Sequence, residues 1–172
     1  MKKITLFIFV VLLSVYTFGQ VTVTNPGNTT PGLSATYTTL ALAITDLNAQ
    51  TSISGPVMIA LDASNPQTSP AGGYLINATL TGASNTNRVT FEGNGNSITA
   101  PTTHTVGSLV DAIFKIVGSD FITIKNFTML ENAGNSITAA ATNTMTEFGV
   151  ALFYATTTNG AQNIIIEGNT IT

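Results

Sequence analysis

The chain has 172 residues, of which 44% are hydrophobic and only 8% are charged. Disordered chains combine low hydrophobicity with high charge, so this composition indicates an ordered protein. The formal net charge of −3 excludes a basic nucleic-acid surface, and the chain contains no cysteine. Its stability must therefore come from burial and backbone hydrogen bonds rather than from disulfides.

The first 19 residues have the pattern of a secretory signal peptide. Lys2 and Lys3 form a positively charged start, and an apolar run follows over residues 4–18. That run is shorter than the about 20 residues of a membrane-spanning helix. We expect cleavage before Gln20, and hence a secreted or cell-surface protein with no membrane span; an uncleaved membrane anchor is the alternative. Cleavage leaves three basic residues against eight acidic ones, a net charge of −5.

Residues 20–36 predict an exposed lead-in, because the short strand-like stretch Val21–Thr24 is followed by two strong turn signals. Beyond them, four apolar residues recur at helical spacing, namely Leu40, Ala43, Ile44 and Leu47. Thr38 and Thr39 precede them as suitable N-caps. We expect one short amphipathic helix that covers the N-terminal end of the following structure; packing on a side face is the alternative.

From residue 57 onward the pattern changes to strands. Short runs rich in β-branched or aromatic residues are bounded by Gly, Pro, Asn, Ser or Asp, which is typical of β-structure. The predicted strands are 57–61, 74–80, 88–92, 113–117, 121–125, 127–130, 150–154 and 164–167.

A six-residue phrase occurs three times among these strands. Each copy has apolar residues at alternate positions and one charged residue, followed at the fifth position by Gly93, Asn126 or Gly168. Gly and Asn enter the left-handed backbone region at least cost, so these positions predict tight bends. Repetition of the phrase predicts the stacked coils of a solenoid, which bury each other's apolar faces. The copies are Val89–Asn94, Ile122–Phe127 and Ile164–Asn169.

The fourth position of the phrase carries a charge in every copy: Glu92, Lys125 and Glu167. Strand alternation places these side chains outward, so stacked coils set Glu over Lys over Glu. We interpret them as a charge ladder, in which opposite charges on neighbouring strands contribute about 0.2 to 1 kcal/mol.

Two stretches resemble the repeats of right-handed parallel β-helix proteins of the pectate-lyase-like superfamily: Gly118–Met129 and Asn163–Ile171. The stretches Tyr37–Asn48 and Ser54–Val57 are similar to the start of large Bacteroidetes-type surface proteins, which usually end in a sorting domain. The resemblance implies an all-β fold over residues 37–172, a right-handed parallel β-helix (solenoid) with a short N-terminal capping helix. Because the strand pattern continues to Thr172, we expect an N-terminal fragment that is truncated at the C-terminus.

The resemblance also raises two kinds of catalysis. Polysaccharide lyases on this fold typically use clustered acidic residues to bind Ca²⁺ and a Lys or Arg to abstract or stabilise a proton. Calcium needs six to eight oxygen ligands, commonly several of them carboxylates. Glycosidases need two carboxylates that face each other across a sugar. Asp111 and Asp120 are the nearest such pair in sequence, and Asp120 lies in a turn where Asp commonly binds local amides. We therefore predict no catalytic residues.

His104 is the only histidine, so neither a His-based metal cluster nor a Ser/His/Asp triad can be assembled. We expect no metal and no cofactor, and the sequence identifies no binding residues. The function predicted from these observations is a non-catalytic scaffold that contacts polysaccharide or cell-surface glycans in adhesion. The alternative is the N-terminal part of a lyase or glycoside hydrolase whose catalytic coils lie beyond residue 172.

Overall fold

The computed structural model describes residues 20–102 and 105–172, so the predicted signal peptide (residues 1–19) and His104 lie outside the described residues. The described chain is mostly β with one α-helix, as the sequence predicts. The elements are β1 (Val21–Thr24), β2 (Thr29–Thr30), β3 (Thr36–Tyr37), α1 (Leu40–Asn48), β4 (Ser52–Ile53), β5 (Val57–Leu61), β6 (Gln67–Thr68), β7 (Tyr74–Ile76), β8 (Val89–Glu92), β9 (Ser97–Thr99), β10 (Ala112–Val117), β11 (Ile122–Lys125), β12 (Thr128–Leu130), β13 (Phe148–Thr156), β14 (Asn159–Gly160), β15 (Ile165–Glu167) and β16 (Thr170–Ile171).

Successive strands of the chain join three sheets in a fixed, repeating order. The first sheet contains β5, β8, β11 and β15, the second contains β7, β10 and β13, and the third contains β6, β9, β12 and β16. Within each set the neighbours pair in parallel. Each successive stretch of chain therefore adds one strand to the first sheet, then one to the third and one to the second.

The three copies of the repeated phrase are neighbours in the first sheet. Ile122 lies opposite Val89, and Lys125 lies opposite Glu92 on one side and Glu167 on the other. Equal positions of the phrase are therefore in register. A shift of one residue would turn every apolar side chain to the opposite face, so this register keeps the isoleucines inside.

The core is a column of side chains that point inward from the three sheets. Its largest fully buried members include Phe91, Ile122 and Ile124 from the first sheet. Aromatic rings from different turns of the chain stack at its centre, with 5.2 Å between the ring centroids of Tyr74 and Phe114 and 5.3 Å between those of Phe114 and Phe127. These spacings lie within the range of favourable aromatic pairs.

Helix α1 begins where the sequence predicts. The Thr39 hydroxyl accepts a hydrogen bond from the backbone N–H of Leu42 at 3.3 Å, which satisfies one of the free donors at the start of the helix. All four residues of the predicted apolar stripe are buried. The helix packs beside β7, where the Asn48 amide donates to the carbonyl of Leu75 at 2.8 Å and accepts from the N–H of Asn77 at 3.0 Å.

The prediction of an exposed lead-in over residues 20–36 is wrong for its first strand. Val21 and Val23 are buried, and β1 pairs antiparallel with β5 along the outer edge of the first sheet. The register joins Val21 to Leu61, a separation of 40 residues that local turn signals do not reveal. β3 then pairs with β1, so this segment covers the N-terminal end of the sheet.

The predicted strands from residue 57 onward all overlap observed ones. The largest differences are in the strand predicted at 74–80, which ends at Ile76, and the one predicted at 150–154, which extends over Phe148–Thr156. Three short strands of the third sheet, β6, β9 and β16, are missing from the prediction. They contain only two or three residues, too few to produce a recognisable alternation.

Candidate functional surface

The bends that follow the repeated phrase differ between its copies. Asn126 and Gly168 lie in the left-handed region, with φ of 58° and 63°. Gly93 is absent from the residues with positive φ, and the left-handed residue of the first copy is Asn94, with φ of 50°. The first copy carries two additional residues before its next strand, which moves the bend by one position.

Gly93 is required for a different reason: the ring of Phe127 packs too close to it to leave room for a side chain. A Cβ atom at this position would lie 2.7 Å from the ring of Phe127 in the next turn of the chain. Phe127 is fully buried in the aromatic stack and has little room to move. The interpretation of Gly93 as a left-handed bend is therefore corrected: its glycine makes space for the core.

The Glu92 carboxylate is the centre of a hydrogen-bonded cluster. It accepts from the backbone N–H of Asn94 at 2.9 Å and from the Asn126 amide at 3.0 and 3.1 Å. Nζ of Lys125 lies 3.2 Å from its second oxygen. Burial alone would raise the pKa of Glu92, but the donors from Asn94, Asn126 and Lys125 outweigh it and lower the pKa below its ordinary value.

The predicted charge ladder is present in register but unequal in contact. Lys125 forms its ion pair with Glu92, whose side chain is largely buried. Glu167 is exposed, and within residues 20–102 and 105–172 it forms no ion pair with Lys125. The ladder therefore consists of one engaged pair and one solvent-facing carboxylate.

A column of asparagines, which the sequence analysis did not identify, stabilises the turns between the first and third sheets. Asn96 Oδ1 accepts from the N–H of Asn65 at 2.7 Å, and its amide donates to the carbonyl of Asp62 at 2.9 Å. Asn169 repeats this two strands further along the first sheet, accepting from the N–H of Phe127 at 3.0 Å and donating to the carbonyl of Ile124 at 2.9 Å. The available signal was a Gly-Asn pair before the third-sheet strands β9 and β16: Gly95-Asn96 just after the first copy of the phrase and Gly168-Asn169 within the third.

Asp111 and Asp120 are not brought together. They flank opposite ends of β10, so the length of the strand, about 20 Å, separates them. Asp111 lies 3.7 Å from Nζ of Lys115, and Asp120 accepts from the N–H of Gln162 at 2.8 Å. Both carboxylates therefore stabilise local structure, and a glycosidase pair is not formed by them.

Two further carboxylates hold the long loop between β12 and β13. Glu131 accepts from the Asn135 amide at 2.7 Å and from the N–H of Thr146 at 2.6 Å. Glu147 accepts from the amide of Asn143 and from the N–H of Asp111 at 3.1 Å. These bonds connect both ends of the loop to the adjacent strands.

Arg88 connects three successive turns of the chain. Its guanidinium donates to the Thr123 hydroxyl at 3.0 Å and to the carbonyls of Ile122 at 2.9 Å and Asn163 at 2.6 Å. The guanidinium carbon also lies 5.9 Å from the centroid of the Phe121 ring, within the range of a cation–π contact. Burial lowers the pKa of Arg88.

Two of the open hollows on the surface of the described residues contain polar side chains that bear on binding. One, of about 510 Å³, lies beside the bends and is lined by Glu92, Asn94 and Asn126 among others. Its polar groups are already occupied by one another. The second, of about 390 Å³, lies beside the β13–β14 hairpin and is lined by Tyr154, Thr157, Thr158 and Gln162 among others. In this second hollow an exposed aromatic ring stands beside uncharged polar side chains.

No known family, curated protein or solved structure matches the chain. In the described part of the chain, no three His, Cys, Asp or Glu side chains are grouped in a way that suits a metal ion. The described residues also include no helix with the length and apolar character needed to cross a membrane.

Proposed function

We propose that the chain is a right-handed parallel β-helix with α1 as its N-terminal cap. The repeating order in which strands join the three sheets supports this proposal, because one strand in each sheet makes up one coil. The in-register pairing of Val89 with Ile122 and of Thr123 with Ile165 also supports it. Buried aromatic rings from successive coils form one continuous core, as the stacking of solenoid repeats requires.

We further propose that this β-helix is an exported, non-catalytic scaffold that contacts glycans at a cell surface or in secreted form. The observation that carries the proposal is the use of the carboxylates. Within residues 20–102 and 105–172, seven of the eight acidic side chains form hydrogen bonds or ion pairs, and Glu167 is the exception. Hydrolases and lyases need carboxylates that face a substrate, whereas a scaffold uses them to stabilise its loops.

Export is supported by the signal-peptide pattern of residues 1–19, and glycan contact by the loops that separate the strands. Loops on a rigid scaffold are the usual place for recognition. The hollow of about 510 Å³ beside the bends is less suitable for this role, because its Glu92 carboxylate already accepts hydrogen bonds from the N–H of Asn94 and the amide of Asn126.

The experiment is a two-part assay on the purified chain from Gln20 to Thr172. Affinity electrophoresis through gels that contain neutral or acidic polysaccharides should retard the protein in at least one gel. Incubation with the same polysaccharides, with and without Ca²⁺, should produce neither new reducing ends nor unsaturated products. Turnover in the second part would contradict the scaffold proposal, and failure to bind any polysaccharide would contradict the glycan proposal.

A further inference from the structure

The β13–β14 hairpin holds an aromatic ring in a fixed, open position. Tyr154 pairs with Gly160 across the hairpin, and its side chain is 74% exposed. A Cβ atom on residue 160 would lie 2.8 Å from Cε1 of the Tyr154 ring. The ring therefore packs closely against Gly160, and its large exposure leaves most of its surface available to solvent.

The hairpin that carries this ring is itself fixed to the body of the protein. The N–H of Gly118 donates to the carbonyl of Phe153 at 3.1 Å. A Cβ atom on residue 118 would lie 2.6 Å from that of Ala155 and 2.9 Å from the amide nitrogen of Asn159, so Gly118 lets both strands of the hairpin pack closely. The N–H of Gln162, just after the hairpin, donates to Asp120 at 2.8 Å. The ring is thus positioned before any ligand arrives, which reduces the entropy lost on binding.

The surroundings of the ring determine what it can bind. The hollow is lined by Leu152, Phe153, Tyr154, Thr157, Thr158, Gly160, Ala161 and Gln162, none of which is charged. Tyr154 offers an apolar face, while Thr157, Thr158 and Gln162 offer hydroxyl and amide groups that both donate and accept hydrogen bonds. The volume, about 390 Å³, lies at the lower end of the range of small-molecule sites, about 300 to 1,000 Å³.

A sugar ring has matching chemistry, since its C–H face is apolar and its edge carries hydroxyls. A uronate would also need a cation for its carboxylate, and the hollow contains none among its lining residues. The chain from Gln20 to Thr172 carries three basic and eight acidic residues, a net charge of −5, which repels acidic polysaccharides at long range. Both observations favour an uncharged sugar.

We propose that the hollow at the β13–β14 hairpin is a subsite for a neutral hexose or pentose unit of a polysaccharide, with Tyr154 as the stacking platform. This inference rests on the proposed glycan-binding function and specifies its location and its ligand class. Tyr154 contributes through its ring face, and Gln162 and the two threonines bind the hydroxyls at the edge of the sugar.

The test uses isothermal titration with cellohexaose, mannohexaose, xylohexaose and polygalacturonate. The chain from Gln20 to Thr172 should bind at least one neutral hexasaccharide more tightly than polygalacturonate. Tyr154→Ala should weaken that binding by about tenfold or more, because it removes both the stacking face of the ring and the apolar area buried against the sugar. Tyr154→Phe keeps the ring face and should stay within about threefold. Phe148→Ala is the matched control, because Phe148 is an exposed aromatic residue of the same strand that does not line the hollow.

The outcomes separate this inference from the proposed function. If a neutral hexasaccharide binds and Tyr154→Ala binds it equally well, the subsite is wrong while glycan binding stands. If polygalacturonate binds as tightly as the neutral probes, the neutral preference is wrong. If the wild-type chain binds none of the four probes, both proposals are overturned. Thermal unfolding of Tyr154→Ala and Tyr154→Phe should match that of wild type, because the Tyr154 side chain is 74% exposed, whereas Phe148→Ala, at a half-buried residue, should lower the midpoint slightly.

Discussion

The outermost strands at the two ends of the described stack differ in how they are paired and buried. At the N-terminal end, β1 pairs with the outer edge of β5, and the Asn48 amide of α1 satisfies backbone groups of β7. At the C-terminal end, β15 and β16 are the last strands of their sheets within residues 20–102 and 105–172. Ile166 and Ile171 there are 46% and 58% exposed, whereas their register partners, Ile124 and Met129, are fully buried.

This difference shows that contacts within the repeated phrase are not enough to bury its apolar side chains. The same inward position is buried in Ile124, whose strand pairs with a strand on each side, and half-exposed in Ile166, whose strand pairs on one side only within the described residues. Burial comes from the neighbours rather than from the local sequence, as expected for a structure with nearest-neighbour interfaces. At the N-terminal end, α1 and β1 act as neighbours with an unrelated sequence.

The largest effect is expected from paired truncations at one position of the phrase. Ile124→Ala should lower the free energy of unfolding by about 2 to 5 kcal/mol, because it leaves a cavity in a closed core. Ile166→Ala removes the same atoms from a half-exposed site and should cost only about 1 kcal/mol. Urea unfolding of both variants measures the difference.

Phe91→Leu serves as a control for the method, because it keeps most of the apolar volume at a buried register partner of Ile124. Its cost should lie below that of Ile124→Ala. Equal destabilisation by Ile124→Ala and Ile166→Ala would contradict the comparison, since it would mean that the interior strand and the last strand are buried equally in solution.

The second comparison concerns the two glutamates of the ladder. Glu92→Ala leaves the Asn126 amide and the N–H of Asn94 without their acceptor, and should cost about 1 to 3 kcal/mol. Glu167→Ala, at the equivalent exposed position, should change stability by less than about 0.5 kcal/mol. Chemical unfolding near neutral pH measures both values. A large effect of Glu167→Ala would show that β15 is stabilised by this carboxylate.

The third variant tests the N-terminal cover. Asn48→Ala removes the amide that binds the carbonyl of Leu75 and the N–H of Asn77. Because water can reach these groups, the expected cost is about 1 kcal/mol. Leu42→Ala is the matched control on the same helix, since Leu42 is 52% exposed, and it should change stability by less than about 0.5 kcal/mol. Hydrogen exchange at Asn77 should increase in Asn48→Ala alone.

The sequence allowed prediction where the physical cause is local. The α1 stripe, its Thr39 cap and the alternation in Ile122–Lys125 all depend on residues within one or two turns of the chain. Prediction failed where the cause is distant. The pairing of Val21 with Leu61 depends on a partner 40 residues away.

The candidate surface shows the same division. The neighbourhood of Glu92 and Lys125 followed from the aligned phrase, because register places them side by side. The bend at Asn94 rather than Gly93 did not, because two added residues change the turn without changing the alignment of the strands. The exposed platform of Tyr154 depends on Gly160 across a hairpin, and the Thr-rich stretch between them gave no sign of that contact.

The smallest effect is the acid dependence that Glu92 contributes. Its pKa in the folded protein lies below the ordinary value of 4.5, because Asn94, Asn126 and Lys125 stabilise the charged form. The stabilisation is therefore present above about pH 4.5 and is lost as the pH falls through the lower pKa of the folded state. Glu92→Gln removes this contribution, so its stability should fall less than that of wild type between pH 6 and pH 3.

Thermal unfolding at a series of pH values in constant salt measures this slope. Lys125→Met should give an intermediate slope, because it removes one donor and leaves the hydrogen bonds from Asn94 and Asn126. An identical slope for wild type and Glu92→Gln would show that Glu92 is solvated like Glu167, and the contrast between the interior and the end of the ladder would disappear. A steeper slope in Glu92→Gln would reverse the sign of the assigned pKa change.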